Sequence, residues 1–406
     1  VSHLVVNKEF IVIENDNAYT IYELFNSKNN IDETKIEMNN ENNNTLSLIN
    51  KIADVKIRDK SGVFIGARMG RPEKAKMRKL TGSPHALFPI GEEGGRLRSF
   101  QSTFESNKIT AEFPIFYCNN CNKKTILSVC EVCSKKTKKK YYCKICDLID
   151  DKECRHGLAA TYLKQEIDIK HYFDACLKKL NIKTYPDLIK GVRGTSNKNH
   201  IPEHFLKGIF RARYDICVNK DGTIRYDMTQ LPITHFKSKE INVSVEKLKD
   251  MGYIKDIFGV EISSDEQILE LMPQDLILPS CSESLELGSD EILLKTSFFV
   301  DDLLNEFYKI DKFYNMKSKE DLIGVLVAVL APHTSAAIVG RIIGFSKTQG
   351  FFAHPVFHAA TRRDCDGDEA SVMLLMDALL NFSKQYLPDR RGSTQDAPLV
   401  LTTKLI

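Results

Sequence analysis

The chain has 406 residues, of which 42% are hydrophobic and 27% charged, and a formal net charge of +3. That is globular composition with length for two or three domains and a sizeable core shared among several modules. No run of about 18 apolar residues occurs, so no membrane-spanning helix is indicated, and no basic-then-apolar leader is seen. Starting at Val1 and stopping inside an apolar stretch at 399–406, the sequence reads as a fragment of a larger polypeptide.

In chain order, residues 4–13 and 18–25 are apolar runs, read as strands or a strand and a helix, and 26–44 is an Asn/Lys/Glu-rich solvated loop. Residues 55–59 alternate as a strand, and 63–65 follow a turn at Gly62. Residues 66–79 carry six cations, Arg68, Arg71, Lys74, Lys76, Arg78 and Lys79, against the single acid Glu73. With two glycines permitting close approach, this patch suits the phosphates of DNA or of an incoming nucleotide; a solvated basic helix is the alternative. Residues 91–96 form a turn without the spacing of a Walker or Rossmann loop.

Seven of the 11 cysteines fall between Cys118 and Cys154, six of them in C-x-x-C pairs. This is metal spacing, and it points to a reducing, intracellular compartment. Cys118, Cys121, Cys130 and Cys133 form two knuckles separated by eight residues, enough to close a tetrahedral structural Zn²⁺ site. Cys143, Cys146, Cys154 and His156 make a second, Cys₃His set, although the Cys154-x-His156 spacing is tight and a surface role for His156 stays open. The intervening Lys135, Lys136, Lys138, Lys139 and Lys140, with Tyr141 and Tyr142, either track a nucleic-acid backbone or solvate the loop.

Residues 167–180 read as a helix with Tyr172, Phe173, Cys176 and Leu180 on one face, 191–198 as a polar loop, and the segment up to Phe210 as a helix. Residues 214–227 read as a hairpin around the Asp221-Gly222 turn. A helix is expected over 245–253, a strand near 276–278 and a helix over 300–308; 322–330 is an apolar run punctuated at Gly324, and 338–345 reads as a strand and turn. His204 and His235 are read as structural or DNA-proximal.

Residues 362–369, Arg-Arg-Asp-Cys-Asp-Gly-Asp-Glu, place Asp364, Asp366 and Asp368 at alternate positions around Gly367. Alternate side chains project to one side of an extended backbone, so these acids converge as hard oxygen ligands for Mg²⁺, the arrangement of metal-assisted nucleotidyl transfer. Arg363 beside them is a candidate phosphate ligand. Counted from Asp364, the glycine falls at the wrong position for an EF-hand. Helical spacing of Val372, Leu375, Met376, Leu379 and Leu380 predicts a helix over 369–386, and an acidic turn capping that helix is the alternative reading of the run.

Together, His333-Thr334-Ser335-Ala336, the segment 340–345, Ala353-His354-Pro355 with Phe357-His358-Ala359-Ala360, the acidic run, and 379–382 closely resemble the large subunit of the archaeal family-D DNA polymerase. The resemblance extends over nearly the whole chain from about Lys56. In that family the run usually reads Asn-Cys-Asp-Gly-Asp, and its two aspartates are the metal-binding catalytic pair; they fall on Asp366 and Asp368, while Asp364 stands where asparagine is usual. The resemblance implies an α+β, β-rich fold of two double-psi β-barrels with inserted zinc-ribbon modules and flanking helices. Its implied layout is a partial preceding segment (1–50), the first barrel (51–112, continued in 161–245), two zinc modules (113–160) and a second barrel with the acidic turn (246–406). It further implies Arg71, Lys74 and Lys76 as phosphate ligands, catalytic Mg²⁺, structural Zn²⁺, a DNA primer-template and dNTPs, and a cytoplasmic, nucleoid-associated enzyme. A small subunit carrying a 3′–5′ exonuclease and a sliding clamp are its implied partners. Two rivals remain: a multisubunit RNA polymerase catalytic subunit, which shares the acidic pattern, and a non-catalytic zinc-ribbon nucleic-acid-binding protein.

Overall fold

The computed structural model describes residues 4–6, 11–13, 75–334 and 336–390. The expectations placed on 14–74 and 391–406, including the strands at 55–59 and 63–65, most of the basic patch with Arg71 and Lys74, and the end of the 389–392 turn, lie outside the described residues. Two compact units are present. In the first, β1 (Leu4–Val6) pairs antiparallel with β2 (Ile11–Ile13).

Among the described residues the second unit opens with β3 (Ala75–Met77) and the short helix α1 (Phe100–Thr103), capped by the Ser99 hydroxyl. Strand β4 (Lys108–Pro114) alternates, burying Ile109, Ala111 and Phe113, as a half-buried strand must. It opens into the cysteine-rich insertion: β5 (Phe116–Cys118), β6 (Lys123–Thr125), β7 (Lys138–Lys139), β8 (Tyr141–Cys143), β9 (Asp147–Ile149), β10 (Glu153–Cys154) and β11 (Gly157–Leu158). Strand β12 (Tyr162–Asp168) returns antiparallel to β4 and closes the insertion at its base. Helix α2 (Ile169–Leu180) starts two residues later than its periodicity suggests, because Asp168 caps the His171 N–H at 3.0 Å. It buries the expected face: Tyr172, Phe173, Cys176 and Leu180.

Beneath lies an aromatic core in which Phe88 meets Phe100, Phe113 and Phe205 with ring centroids 5.4–5.8 Å apart. Helix α3 (Leu206–Arg213) carries Arg211 into it, fully buried against Glu203.

The expected hairpin over 214–227 does not form. The turn at Asp221-Gly222 is present, with Asn219 N–H bonded to the Thr223 carbonyl at 2.8 Å, but no ladder flanks it. The flanking backbone has other partners: Val218 N–H bonds Pro84 and Ile224 N–H bonds the Asp377 carboxylate at 2.7 Å. The buried Asp221 side chain gathers Asn219, Thr223 and Arg225. A strand begins only afterwards, as β13 (Tyr226–Pro232).

Strand β14 (His235–Lys237) pairs with β15 (Ile268–Glu270) on either side of α4 (Val245–Asp250). Then follow β16 (Asp275–Pro279), α5 (Ser289–Asp302) continuing into a π-turn (Leu303–Tyr308), β17 (Leu326–Leu330), β18 (Ile338–Ser346), β19 (Gly350–Ala353), α6 (Pro355–Ala360), β20 (Glu369–Leu374) and α7 (Leu375–Asn381). Six of these strands close a ring in the order β19, β16, β18, β17, β20, β13 and back to β19, with β3 added at the edge of β13. The β13–β19 and β16–β18 pairings are parallel and the rest antiparallel. The fold is therefore mixed α+β and strand-rich, built on a closed six-stranded barrel.

The helix expected over 369–386 is corrected by that ring. Residues 369–374 are a strand hydrogen-bonded to β13 and β17, and helix begins only at Leu375. Ala370, Val372, Met373 and Leu374 are all buried, and a short run buried on both faces carries no period that separates strand from helix. Leu379, expected inside, is 55% exposed.

Candidate active site and metal centres

The acidic turn joins α6 to β20 at one end of the ring. Helix α6 ends with Thr361 N–H bonded to Phe357 and Arg362 N–H to Ala359. Arg362 then adopts φ +57°, a left-handed conformation that turns the chain away from the helix. From there side chains alternate: Cys365 is buried, while Asp364 and Asp366 on either side of it are exposed. Gly367, at φ +130°, takes a conformation L-residues avoid and brings Asp368 back towards the same point. One carboxylate oxygen from each of Asp364, Asp366 and Asp368 lies within 4.8 Å of the others. Two oxygens bound to one Mg²⁺ lie about 3–4 Å apart, so the donor set fits a hard divalent cation with small adjustments. Arg363 pairs with Asp368 Oδ2 at 2.8 Å.

Strand β13 fixes this turn at both ends. Gln230 N–H bonds the Asp368 carbonyl at 2.9 Å, and the Gln230 amide reaches the Thr361 hydroxyl at 3.3 Å. Buried His358 donates from Nε2 to the Leu231 carbonyl at 3.0 Å. Because a strand follows the turn, the helix-capping reading of the acids has no helix to cap. Strand β17 ends at Leu330, paired with Ser371 near the start of β20, so the residues that follow it, His333 among them, leave the ring at the same end.

Of the predicted phosphate ligands, the structure brings Arg363 to the acids. Lys76 is exposed on β3, opposite Asp227 of β13, whose other neighbour in the row is Ser371 of β20. Its backbone is thus two strands, about 10 Å, from the acidic strand, and among the described residues no ion pair joins Lys76 to the three acids. Sequence reasoning missed Asp227, Gln230 and His358. Buried Asp227 accepts from Arg78 Nε at 2.8 Å and from the Ser371 hydroxyl, tying the basic strand to the acidic one. Its only local signal was an acid inside an otherwise uncharged strand.

The cysteine clusters form as spaced. Sγ atoms of Cys118 and Cys133 lie 3.5 Å apart, and those of Cys121 and Cys130 3.9 Å apart. Zn–S bonds of about 2.3 Å place sulfurs about 3.8 Å apart on a tetrahedron, so this set could hold zinc. Backbone N–H groups help make thiolates: that of Lys135 lowers Cys133 to about 7, while donating its own S–H to Cys133 pushes Cys121 up to about 12. In the second cluster His156 Nδ1 lies 3.9, 3.2 and 3.8 Å from the sulfurs of Cys143, Cys146 and Cys154. The tight spacing is explained by the hairpin β10–β11, in which Cys154 pairs with Gly157 and His156 sits in the two-residue turn. The N–H groups of Cys146 and Ile145 lower Cys143 to about 6. The lysine run is largely engaged: Lys138 and Lys140 both pair with Asp150, and Lys135 with Asn120. Among the described residues no helix is long and apolar enough to cross a membrane.

Residues 181–406 match the family model of the DNA polymerase II large subunit DP2, catalytic domain, and residues 1–152 that of the DNA polymerase II large subunit DP2, central domain. The chain is 44% identical to the DNA polymerase II large subunit of Nanoarchaeum equitans, over 100% of the chain and 36% of that protein. It is 47% identical to that of Archaeoglobus fulgidus (88% of the chain, 32% of that protein) and 46% identical to that of Pyrococcus furiosus (89% and 29%). The chain spans about a third of the length of these relatives.

Proposed function

The chain belongs to the DNA polymerase II large subunit family, and from that membership we infer that it carries the catalytic core of a DNA-directed DNA polymerase. The reaction is template-directed addition of dNMP to a primer 3′-hydroxyl in archaeal DNA replication. The observation that carries this reading is the convergence of Asp364, Asp366 and Asp368 on a turn fixed to the closed barrel, inside the segment that matches the family's catalytic domain. Asp366 and Asp368, with Asp364 beside them, would hold Mg²⁺. Bound there, the metal would lower the pKa of the primer hydroxyl and offset the charge of the triphosphate. The chain's own part is positional: Cys365 anchors the turn, Gln230 and His358 fix its ends, and rigid support of this kind is what a metal site requires. Arg363, Lys76, Arg71 and Lys74 are the phosphate ligands of this reading, and base pairing selects the nucleotide.

The six-stranded ring with two parallel pairings supports a double-psi barrel for the acidic half (246–406), and β13 is shared with it from the preceding segment. Residues 51–112 and 161–245 are assigned to the first barrel, after the partial segment 1–50, and 113–160 to two zinc-ribbon modules. Zinc at both cysteine clusters is structural, since four protein ligands leave no open position. The partners of this reading are primer-template DNA, dNTPs, a small subunit bearing a 3′–5′ exonuclease and a sliding clamp, in the cytoplasm at the nucleoid. The test is primer extension by the full-length large subunit with its small subunit, carrying Asp366→Asn or Asp368→Asn singly. Each is expected to lower the rate at least about a hundredfold; wild-type rates in both would remove the acids from the chemistry.

A further inference from the structure

The acidic turn carries part of its own counter-charge. Three carboxylates converge within 4.8 Å, and among the described residues the cation that meets them is Arg363, whose Nη2 lies 2.8 Å from Asp368 Oδ2. The left-handed Arg362 makes this possible: it separates two consecutive arginines, leaving Arg362 exposed while Arg363 folds back over the turn. The Arg363 Nε is buried and has no hydrogen-bond partner, so the guanidinium is held by one end. A guanidinium so placed satisfies only part of its donor set; a group with unused donors and one anchor can be exchanged.

We propose that Arg363 is the resident counter-ion of the acidic turn, displaced from Asp368 when a divalent cation binds and then presented to the phosphates of the nucleotide. This rests on the reading of the turn as a metal site. Mg²⁺ binds a carboxylate oxygen at about 2.1 Å, so an ion on the oxygen that Arg363 holds at 2.8 Å could stand at most about 4.9 Å from the donor nitrogen. Even at the dielectric constant of bulk water, a dication that close to a unit positive charge loses about tenfold in affinity. Metal and Arg363 therefore compete for Asp368, and the turn never stands with three unbalanced charges. When the metal takes Asp368, the planar donor fork of Arg363 is released a few ångströms from where the triphosphate must sit, and that geometry suits phosphate oxygens.

The test is Mn²⁺ titration of the full-length large subunit, read by electron paramagnetic resonance at low ionic strength. The ions belonging to the turn are identified as those lost in Asp366→Asn plus Asp368→Asn. Arg363→Gln removes the charge at similar length, and Arg363→Lys keeps it. The expected result is about tenfold tighter Mn²⁺ binding at the turn for Arg363→Gln, near wild-type binding for Arg363→Lys, and weaker dNTP binding for Arg363→Gln once metal is saturating. Unchanged or weaker Mn²⁺ binding in Arg363→Gln, with the turn's ions still present, overturns the exchange and leaves the metal site standing. Absence of any Mn²⁺ that depends on Asp366 and Asp368, in wild type and variants alike, overturns both.

Discussion

Replacing Glu203 by alanine should destabilise the second unit more than any single change at its surface. Glu203 and Arg211 have no exposed side-chain surface; Oε1 accepts from Arg211 Nη2 at 2.7 Å, and Oε2 from Arg211 Nη1 at 2.9 Å and Leu87 N–H at 3.0 Å. Arg211 also donates to the carbonyls of His85 at 2.9 Å and Gly222 at 2.8 Å, and its guanidinium lies 5.0 Å from the Phe299 ring centre. The pair thus ties four chain segments together. Removing the carboxylate strands a buried guanidinium, which costs about 3–5 kcal/mol, and leaves the Leu87 N–H without its acceptor, a further cost of about 1–3 kcal/mol. At about 2 °C per kcal/mol for a unit this large, thermal unfolding should shift down by about 8–16 °C. Glu203→Met combined with Arg211→Met removes both charges at similar volume, so the double variant should cost less than the sum of its parts by about 2 kcal/mol or more. Calorimetry of wild type, Glu203→Ala, Glu203→Met, Arg211→Met and the double Met variant reads both the cost and the coupling. Additive costs, or a Glu203→Ala cost under about 1 kcal/mol, would refute the reasoning.

Wild-type protein should hold two zinc ions per chain by atomic emission; Cys130→Ser should lose one and Cys146→Ser the other, each with protease cleavage confined to its own cluster. Retention of both ions in either variant contradicts the ligand sets. Burial holds the imidazole of His85 down at about 4, below its ordinary 6.5. The unfolded chain therefore binds a proton that the folded chain refuses between pH 6.5 and 4, and stability falls as pH drops through that window. Urea midpoints at pH 7 and 5 should differ more for wild type than for His85→Asn; equal differences would dismiss the group. Half-buried His204 is shifted the same way, again by desolvation, and adds to the wild-type slope that remains.

The features legible in the sequence were those whose chemistry is local. A tetrahedral zinc shell needs paired ligands on short knuckles, so C-x-x-C spacing announced both clusters, and the β10–β11 turn explains why even the tight Cys154-x-His156 spacing works. Alternation around Gly367 announced the acidic turn for the same reason. What stayed hidden depends on distant pairing. Whether residues 369–374 form strand or helix is decided by β13 and β17, and the Asp-Gly turn at 221–222 became a loop because its backbone found partners at Pro84 and Asp377. The link from Arg78 through Asp227 to Ser371 joins residues 149 and 144 positions apart, beyond any local period.

The most direct measurement is primer extension with Mg²⁺ and dNTPs by the full-length large subunit and its small subunit, as wild type and as Asp366→Ala plus Asp368→Ala. DNA binding and zinc content are measured alongside. In the double variant extension should disappear while DNA binding and zinc content hold. Extension by the double variant would contradict this and leave the acidic turn a structural feature of a nucleic-acid-binding protein.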